Sequence, residues 1–313
     1  MTLNSLSEKP VGVIGAGNFG TVIANLLAIN RNVLLYARDE KAVHNINHKK
    51  ENRGHKIHGN VVATHDLREV AEKCDVIFPM VPSQHFRQMM RKLSPFLHPY
   101  HVLIHGTKGF DIKLRKGETI ESVPTLSRKQ VKTMSEVIRE ESVVVRIGCL
   151  AGPNLSKELA QRQPAATVVA SPFDEVIQIG KRLLRNERFQ VYENRDMVGV
   201  EIAGVLKNII AIASGALSGL GCSASRTRYC IASSLAQISQ SHHALELVGK
   251  YTAEEVVLAA QKVGQNAWVK STSGLGLLTN NTHNDRCQRS KQSKNRLIAK
   301  SQKLHQNRNN AGL

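Results

Sequence analysis

The chain has 313 residues, 41% of them hydrophobic and 22% charged, which excludes a wholly disordered protein and leaves room for a sizeable core in two domains or one large one. Lys and Arg number 43 against 25 Asp and Glu, a net charge of +18, and that balance asks for an anionic partner: nucleic acid, a membrane surface or a phosphorylated metabolite. Aromatic residues are only 4% of the chain, which argues against a base-stacking platform, and no recognition motif supports nucleic acid as the partner.

The five cysteines, Cys74, Cys149, Cys222, Cys230 and Cys287, are odd in number, scattered and without a C-x-x-C pair. They form neither a disulfide framework nor a zinc site, and no metal is expected. Cys74 and Cys149 lie beside apolar runs and are expected to be small core residues. No stretch has the length of a signal peptide or a membrane span, so the expected location is the cytoplasm, with no integral membrane segment.

In chain order, Val11–Ile14 reads as a strand and residues 21–28 as the helix after it. Val33–Tyr36 is a second strand. Residues 75–81 and 101–105 are further strands with a helix at 84–93 between them, and 143–147 and 166–170 add two more. Alternation of this kind predicts a doubly wound, Rossmann-type parallel sheet in the α/β class, covered on both faces, over residues 1–190. Pro79 falls inside the 75–81 run, which a sheet tolerates only at an edge or a strand end. From 197 the pattern turns helical, with 197–217, 235–248 and 253–263 forming a smaller all-helical domain over 191–270. Residues 271–313 hold eight Lys or Arg and a single acidic residue, Asp285, with little apolar periodicity, and read as a basic, poorly packed tail.

The strongest local signal is Val11-Gly-Val-Ile-Gly15-Ala-Gly17-Asn18-Phe19-Gly20, a G-x-G-x-x-G directly after a strand and directly before a helix. Gly15 permits the tight turn, Gly17 lets the backbone approach a pyrophosphate, and Gly20 lets helix and strand pack closely, with the helix N-terminus facing the anion. The second strand ends in Tyr36-Ala37-Arg38-Asp39. An arginine there accepts the 2′-phosphate of NADP and an acidic residue the ribose hydroxyl of NAD; with Arg38 first, the order favours NADP over NAD. Val81-Pro82-Ser83 and Gly106-Thr107-Lys108-Gly109 end two later strands, where a ligand of an open α/β sheet lies, and Lys108 can reach a carbonyl oxygen or a phosphate. Residues 150–160, with Gly152, Pro153, Asn154 and Ser156, turn from a strand end into a helix whose first amides suit an anion. The helix 199–211 carries Glu201, Gly204, Asn208 and Ala211 at i, i+3 and i+4 spacing, with Lys207 beside them. If Lys207 is buried among Leu206, Ile209 and Ile210, its pKa falls toward the range that suits proton transfer; the alternative on periodicity alone is a lysine that snorkels its charge to water.

Together these pieces resemble the NAD(P)-dependent sn-glycerol-3-phosphate dehydrogenases of the bacterial type. The matching residues are Gly15 to Thr21, Val81-Pro82-Ser83, Lys108-Gly109, Gly152-Pro153 followed by Glu158-Leu159-Ala160, and Gly199-Val-Glu201 leading to Lys207-Asn208, in order from about residue 10 to 221. The resemblance implies reduction of dihydroxyacetone phosphate to sn-glycerol 3-phosphate with NADP or NAD as cofactor, supplying glycerophospholipid synthesis. It implies Lys207 as proton donor and acceptor, and Lys108 in contact with both cofactor and substrate. It further places Gly152 and Asn154 at the substrate and Ser156 at the cofactor; Asn18 and Phe19 within the glycine fingerprint, and Arg38 after the second strand, join the three glycines as candidate cofactor-binding residues. The expected partner is a small phosphorylated substrate, with a homodimer as the candidate assembly. Beyond Gly221 the family's pattern is altered. Ser273-Gly-Leu-Gly276 lacks the family's aspartate, and Ser293-Lys-Asn295-Arg296 changes the order of its phosphate-gripping triplet, as a frame error or genetic decay would. The alternative reading is therefore a degenerate NAD(P)-binding protein with little or no catalytic activity.

Overall fold

The computed structural model describes residues 9–206 apart from 115–116, 119–121, 124–129, 153 and 155. All of these but Leu206 belong to one compact unit, Met1–Val205. The expected helices beyond 206, the basic tail, Lys207, Asn208, Ala211, Cys222, Cys230 and Cys287 lie outside the described residues.

The first strand, β1 (Val11–Ile14), leads into α1 (Asn18–Leu27), and β2 (Val33–Tyr36) into the short α2 (Glu40–His44), which continues as a π-helical turn, Asn45–Lys49. A hairpin of β3 (Glu51–Asn52) and β4 (His55–Lys56) precedes β5 (Val61–Thr64) and α3 (Leu67–Lys73). Then come β6 (Val76–Pro79), α4 (Ser83–Leu93) and β7 (Val102–His105), a second small hairpin of β8 (Asp111–Ile112) and β9 (Val131–Lys132), and α5 (Met134–Glu141). The unit closes with β10 (Arg146–Ala151), α6 (Ser156–Ala160), β11 (Ala165–Ala170), α7 (Asp174–Leu184) and β12 (Phe189–Asn194), followed by a helix over 197–206.

Eight strands form one sheet in the order β12-β11-β10-β7-β6-β1-β2-β5. The chain winds outward from β1 through β2 to β5, then crosses back to β6 and winds the other way. This reversal between β1 and β6 opens the crevice in which a doubly wound sheet holds its ligand. Side chains alternate between two apolar layers, as the pleat requires. Val13, Leu35, Phe78 and Ile104 join one core beneath α1 and α7, while Ile14, Leu34, Ile77 and Leu103 join the other beneath α3, α4 and α5. Strands buried on both faces read as continuous apolar runs, which is why β1, β2, β6 and β7 were legible. Cys74 and Cys149 are buried free thiols in the second layer. Among the described residues no helix is long and apolar enough to cross a membrane.

Two expectations need correction. The sheet is not wholly parallel, because β10 and β11 pair antiparallel and β11 and β12 therefore run against the other six. The strand expected at 143–147 begins at Arg146, where pairing with Val102 of β7 starts; Val143 and Val145, at 56% and 58% exposure, precede any partner strand. Pro79 is the last residue of β6, the strand end at which the sequence expects a sheet to tolerate it, and its carbonyl accepts Gly106 N.

Side chains close what the backbone leaves open. At the outer edge of β5, Asn47 takes the place of a ninth strand: its Nδ2 donates to Ala63 O at 2.9 Å and its Oδ1 accepts Ala63 N at 2.7 Å. Lys50 Nζ donates to Val61 O at 3.0 Å. On the opposite flank Arg87 of α4 reaches Asp111 and Glu140 at 2.8 Å, and also Glu141. One guanidinium thus ties α4 to α5 and to the β8–β9 hairpin.

Candidate functional site

The glycine turn after β1 adopts the conformation its residues demand. Gly15 has φ +116°, a left-handed value that favours glycine, and its N–H donates to Tyr36 O. A Cβ on Gly20 would collide with the Gly15 carbonyl, so helix and turn pack too closely for any other residue. Gly17 is different: a Cβ there would meet nothing within 4 Å. It is the N-cap of α1, and no side chain caps that helix end. Open space over a glycine and a helix N-terminus uncapped by any side chain suit a pyrophosphate, so a nicotinamide dinucleotide fits this turn.

The carboxyl ends of β6 and β7 close on the same turn. Gly106 N donates to Pro79 O at 3.1 Å and Thr107 Oγ1 to Val81 O at 2.7 Å. A Cβ on Gly106 would lie 2.6 Å from the Met80 sulfur and 3.1 Å from the Phe19 ring. Gly109, at φ +131°, packs against Ser83, the first residue of α4. Lys108 sits between these glycines with Nζ 5.8 Å from the Phe19 ring centroid, within cation–π range. The structure thus brings Gly15, Gly17, Asn18, Phe19, Gly20 and Lys108 to one end of the sheet.

Arg38 is exposed one residue beyond β2 and Ala37. Its neighbour Asp39 is the N-cap of α2 and accepts Lys41 N at 3.0 Å. The cap engages one oxygen of the Asp39 carboxylate, and the exposed side chains of Arg38 and Asp39 both stand just beyond β2. Of the residues after β10, Gly152 packs so closely on the β11 backbone that a Cβ would lie 2.9 Å from Ala166 O. Asn154 is buried, with Nδ2 donating to Thr167 Oγ1 at 2.8 Å; its Oδ1 has no partner among the described residues. Ser156 opens α6, a helix that packs against α1.

Glu201 is buried in the helix over 197–206. It accepts Ser135 N at 2.9 Å and Ser135 Oγ at 2.5 Å, and Oε1 lies 3.0 Å from His105 Nε2, off the line a hydrogen bond needs. Burial disfavours its charge, but His105 and the two Ser135 donors outweigh that and hold the carboxyl below the usual carboxylate range. Lys207, six residues on, lies outside the described residues. Two groups near the turn escaped the sequence: His105, which ends β7, and Asn52, whose only trace is the Asn-Arg-Gly-His pattern of a two-residue hairpin.

The family model for the N-terminus of NAD-dependent glycerol-3-phosphate dehydrogenase matches residues 10–176. The chain belongs to this family. The model for the C-terminus of the same glycerol-3-phosphate dehydrogenases matches 196–266, further along the chain than the motifs alone carry the resemblance. A protein of Teredinibacter turnerae named glycerol-3-phosphate dehydrogenase [NAD(P)+] is 35% identical over 240 residues, 75% of this chain and 66% of that protein. One of the same name from Saccharophagus degradans is 35% identical over 243 residues, 76% of this chain and 63% of that protein. The chain thus matches less than two thirds of the length of these relatives. Among solved structures, glycerol-3-phosphate dehydrogenase from Coxiella burnetii superposes with a TM-score of 0.64 at 23% identity, covering 95% of this chain and 90% of that one. The enzyme from Plasmodium falciparum gives 0.66 at 21% identity, covering 84% and 77%. These likenesses establish the family's sheet fold.

Proposed function

We propose that the protein is an NAD(P)-dependent oxidoreductase that reduces dihydroxyacetone phosphate to sn-glycerol 3-phosphate, and that the product feeds glycerophospholipid synthesis. The observation that carries this reading is the meeting of the glycine turn with Lys108 at the switch point of the sheet, in a chain of this family. A bound nicotinamide coenzyme supplies hydride to the C2 carbonyl carbon of the substrate.

The chain's own residues do the rest. The amides of the 15–20 turn hold the pyrophosphate, and Arg38 takes the 2′-phosphate of NADP. Lys108 holds the cofactor side of the site and draws charge onto the carbonyl oxygen. Gly152 and Asn154 border the substrate and Ser156 the cofactor. Lys207 delivers the proton that the carbonyl oxygen needs once hydride has arrived; its assignment rests on the Glu201-to-Asn208 run and the family resemblance. The high positive charge of the chain favours a phosphorylated substrate over a neutral one.

The test is NADPH oxidation with dihydroxyacetone phosphate against a panel of unphosphorylated keto acids. Turnover confined to the phosphorylated ketone, with kcat cut by roughly 10²–10⁴ in Lys207→Ala and cofactor affinity unchanged, is the expected result. Cofactor binding without turnover on any ketone selects the degenerate reading instead, for which the altered Ser273–Gly276 and Ser293–Arg296 segments speak.

A further inference from the structure

The β3–β4 hairpin sits against the glycine turn, and Asn52 is where the two meet. Asn52 is 7% exposed, and its Nδ2 donates to Ala16 O at 3.0 Å and to Thr21 Oγ1 at 2.7 Å. Ala16 lies between Gly15 and Gly17. Thr21 completes the first turn of α1, with its own N–H on Gly17 O at 2.9 Å. One side chain therefore spans the turn and the helix end that receives the pyrophosphate. Ala16 O is a pure acceptor, which fixes the orientation of the amide: nitrogen, not oxygen, must face it.

The hairpin holds Asn52 in place. Arg53 and Gly54, at φ +52° and +77°, are both left-handed, as a two-residue turn matched to strand twist requires, and Asn52 pairs with His55 across the ladder. Arg53 Nε adds a second donor to Ala16 O at 3.2 Å. Farther from the glycines, Asn25 of α1 clasps the other strand of the hairpin: Nδ2 donates to Lys56 O at 2.7 Å and Oδ1 accepts His58 N at 2.9 Å.

We propose that Asn52 is a positioning residue for the coenzyme, holding the 15–20 turn in its receiving shape before the coenzyme arrives and so setting coenzyme affinity. The proposal builds on the cofactor reading above. Physically, Gly15 and Gly17 give the turn a freedom that binding must remove, and a turn already fixed loses less on binding. Asparagine suits the task because one nitrogen carries two donors for two acceptors. Aspartate has the same shape but would set an oxygen against the Ala16 carbonyl.

The experiment compares Asn52→Ala and Asn52→Asp with Asn25→Ala, which unclasps the same hairpin away from the glycines. Readouts are the NADPH dissociation constant by fluorescence titration and amide hydrogen exchange across residues 16–21 in the coenzyme-free protein, with thermal unfolding to confirm folding. Both Asn52 variants should bind NADPH about tenfold more weakly or worse and exchange faster across 16–21, the loss of one hydrogen bond to a preformed site being worth about that factor. Asn25→Ala should melt lower yet bind within about twofold of the parent. Folded Asn52 variants that bind like the parent, or that leave exchange across 16–21 unchanged, overturn the proposal. Should Asn52→Ala not fold, the isosteric Asn52→Asp decides by the same criteria. Failure of the unsubstituted protein to bind either NADPH or NADH overturns the cofactor reading itself, a result distinct from a parent that binds and a variant that binds equally well.

Discussion

Glu201 sets both carboxylate oxygens on Ser135, one on the backbone N–H and one on the hydroxyl, at the open end of α5. Ser135 N is among the first amides of that helix, which have no partner within it, and a carboxylate there also meets the positive end of the helix dipole. Thr133 and Glu136 satisfy their own pair of amides in a capping box, so the first turn of α5 is closed from inside and outside together.

Removing that carboxylate should be costly. Glu201→Ala should destabilise the protein by about 3 kcal/mol, as for one member of a buried charged cluster, and Glu201→Gln by less. The carboxyl is held below its reference value of 4.5. Its contribution is therefore complete above the unfolded value and is lost as pH falls through the lower folded value. Urea unfolding from neutral pH down to about pH 3 should show a drop in stability that Glu201→Gln, with nothing to titrate, partly removes.

Arg38→Ala should weaken NADPH by about tenfold or more, the worth of a charge-assisted bond to phosphate, and NADH by about twofold or less. Parallel titrations with the two coenzymes measure this. Equal loss for both would take Arg38 out of the 2′-phosphate site.

The two glycines at the start of α1 should fail in different ways. Gly20→Ala pushes a methyl group into the Gly15 carbonyl and should cost about 1–3 kcal/mol of stability as well as coenzyme binding. Gly17→Ala enters open space, so it should unfold within about 1 kcal/mol of the parent while still losing the coenzyme, because the methyl group occupies the place of the pyrophosphate. Denaturant curves and coenzyme titrations of both variants separate the two effects.

Arg87→Ala should lower the melting temperature by several degrees, about 2 kcal/mol, because it takes the cation from Asp111 in a partly buried cluster and leaves Glu140 to Lys113 and Lys132 and Glu141 to Arg91 alone. Arg87→Lys should recover only part of the loss, since a single ammonium cannot fork to three carboxylates. Lys113, Arg87 and Lys132 hold Glu140 down at about 2 despite partial burial. The cluster's share of stability is thus in place above about pH 4.5 and fades as pH falls toward 2.

What the sequence made legible was local. Gly15, Gly17 and Gly20 mark the passage from an apolar run to a helix, and β1, β2, β6 and β7 read as near-continuous apolar runs, broken by His105 at the end of β7, because both their faces are covered. Pairing direction is not local: nothing in 165–170 marks β11 as antiparallel, since a buried strand is apolar whichever way it runs. Val143 and Val145 carry strand propensity, yet no neighbour reaches them. The contacts hardest to foresee were those made by single polar residues over long separations, Glu201 on Ser135 and Asn52 on Ala16, where composition offers no period to read.

The clasp of Asn47 on Ala63 bears on how copies of this chain can meet. An outermost strand is ordinarily an invitation, because its unpaired peptide groups will accept any other strand. On β5 the outward groups of Val61 and Ala63 are already spoken for, by the turn at His58, Lys50 and both ends of the Asn47 amide. A second molecule could lengthen the sheet there only by prising these bonds apart. The side of the protein that ends in β5 is therefore guarded against runaway stacking into fibrils, and self-association through that edge must use side-chain surfaces rather than backbone.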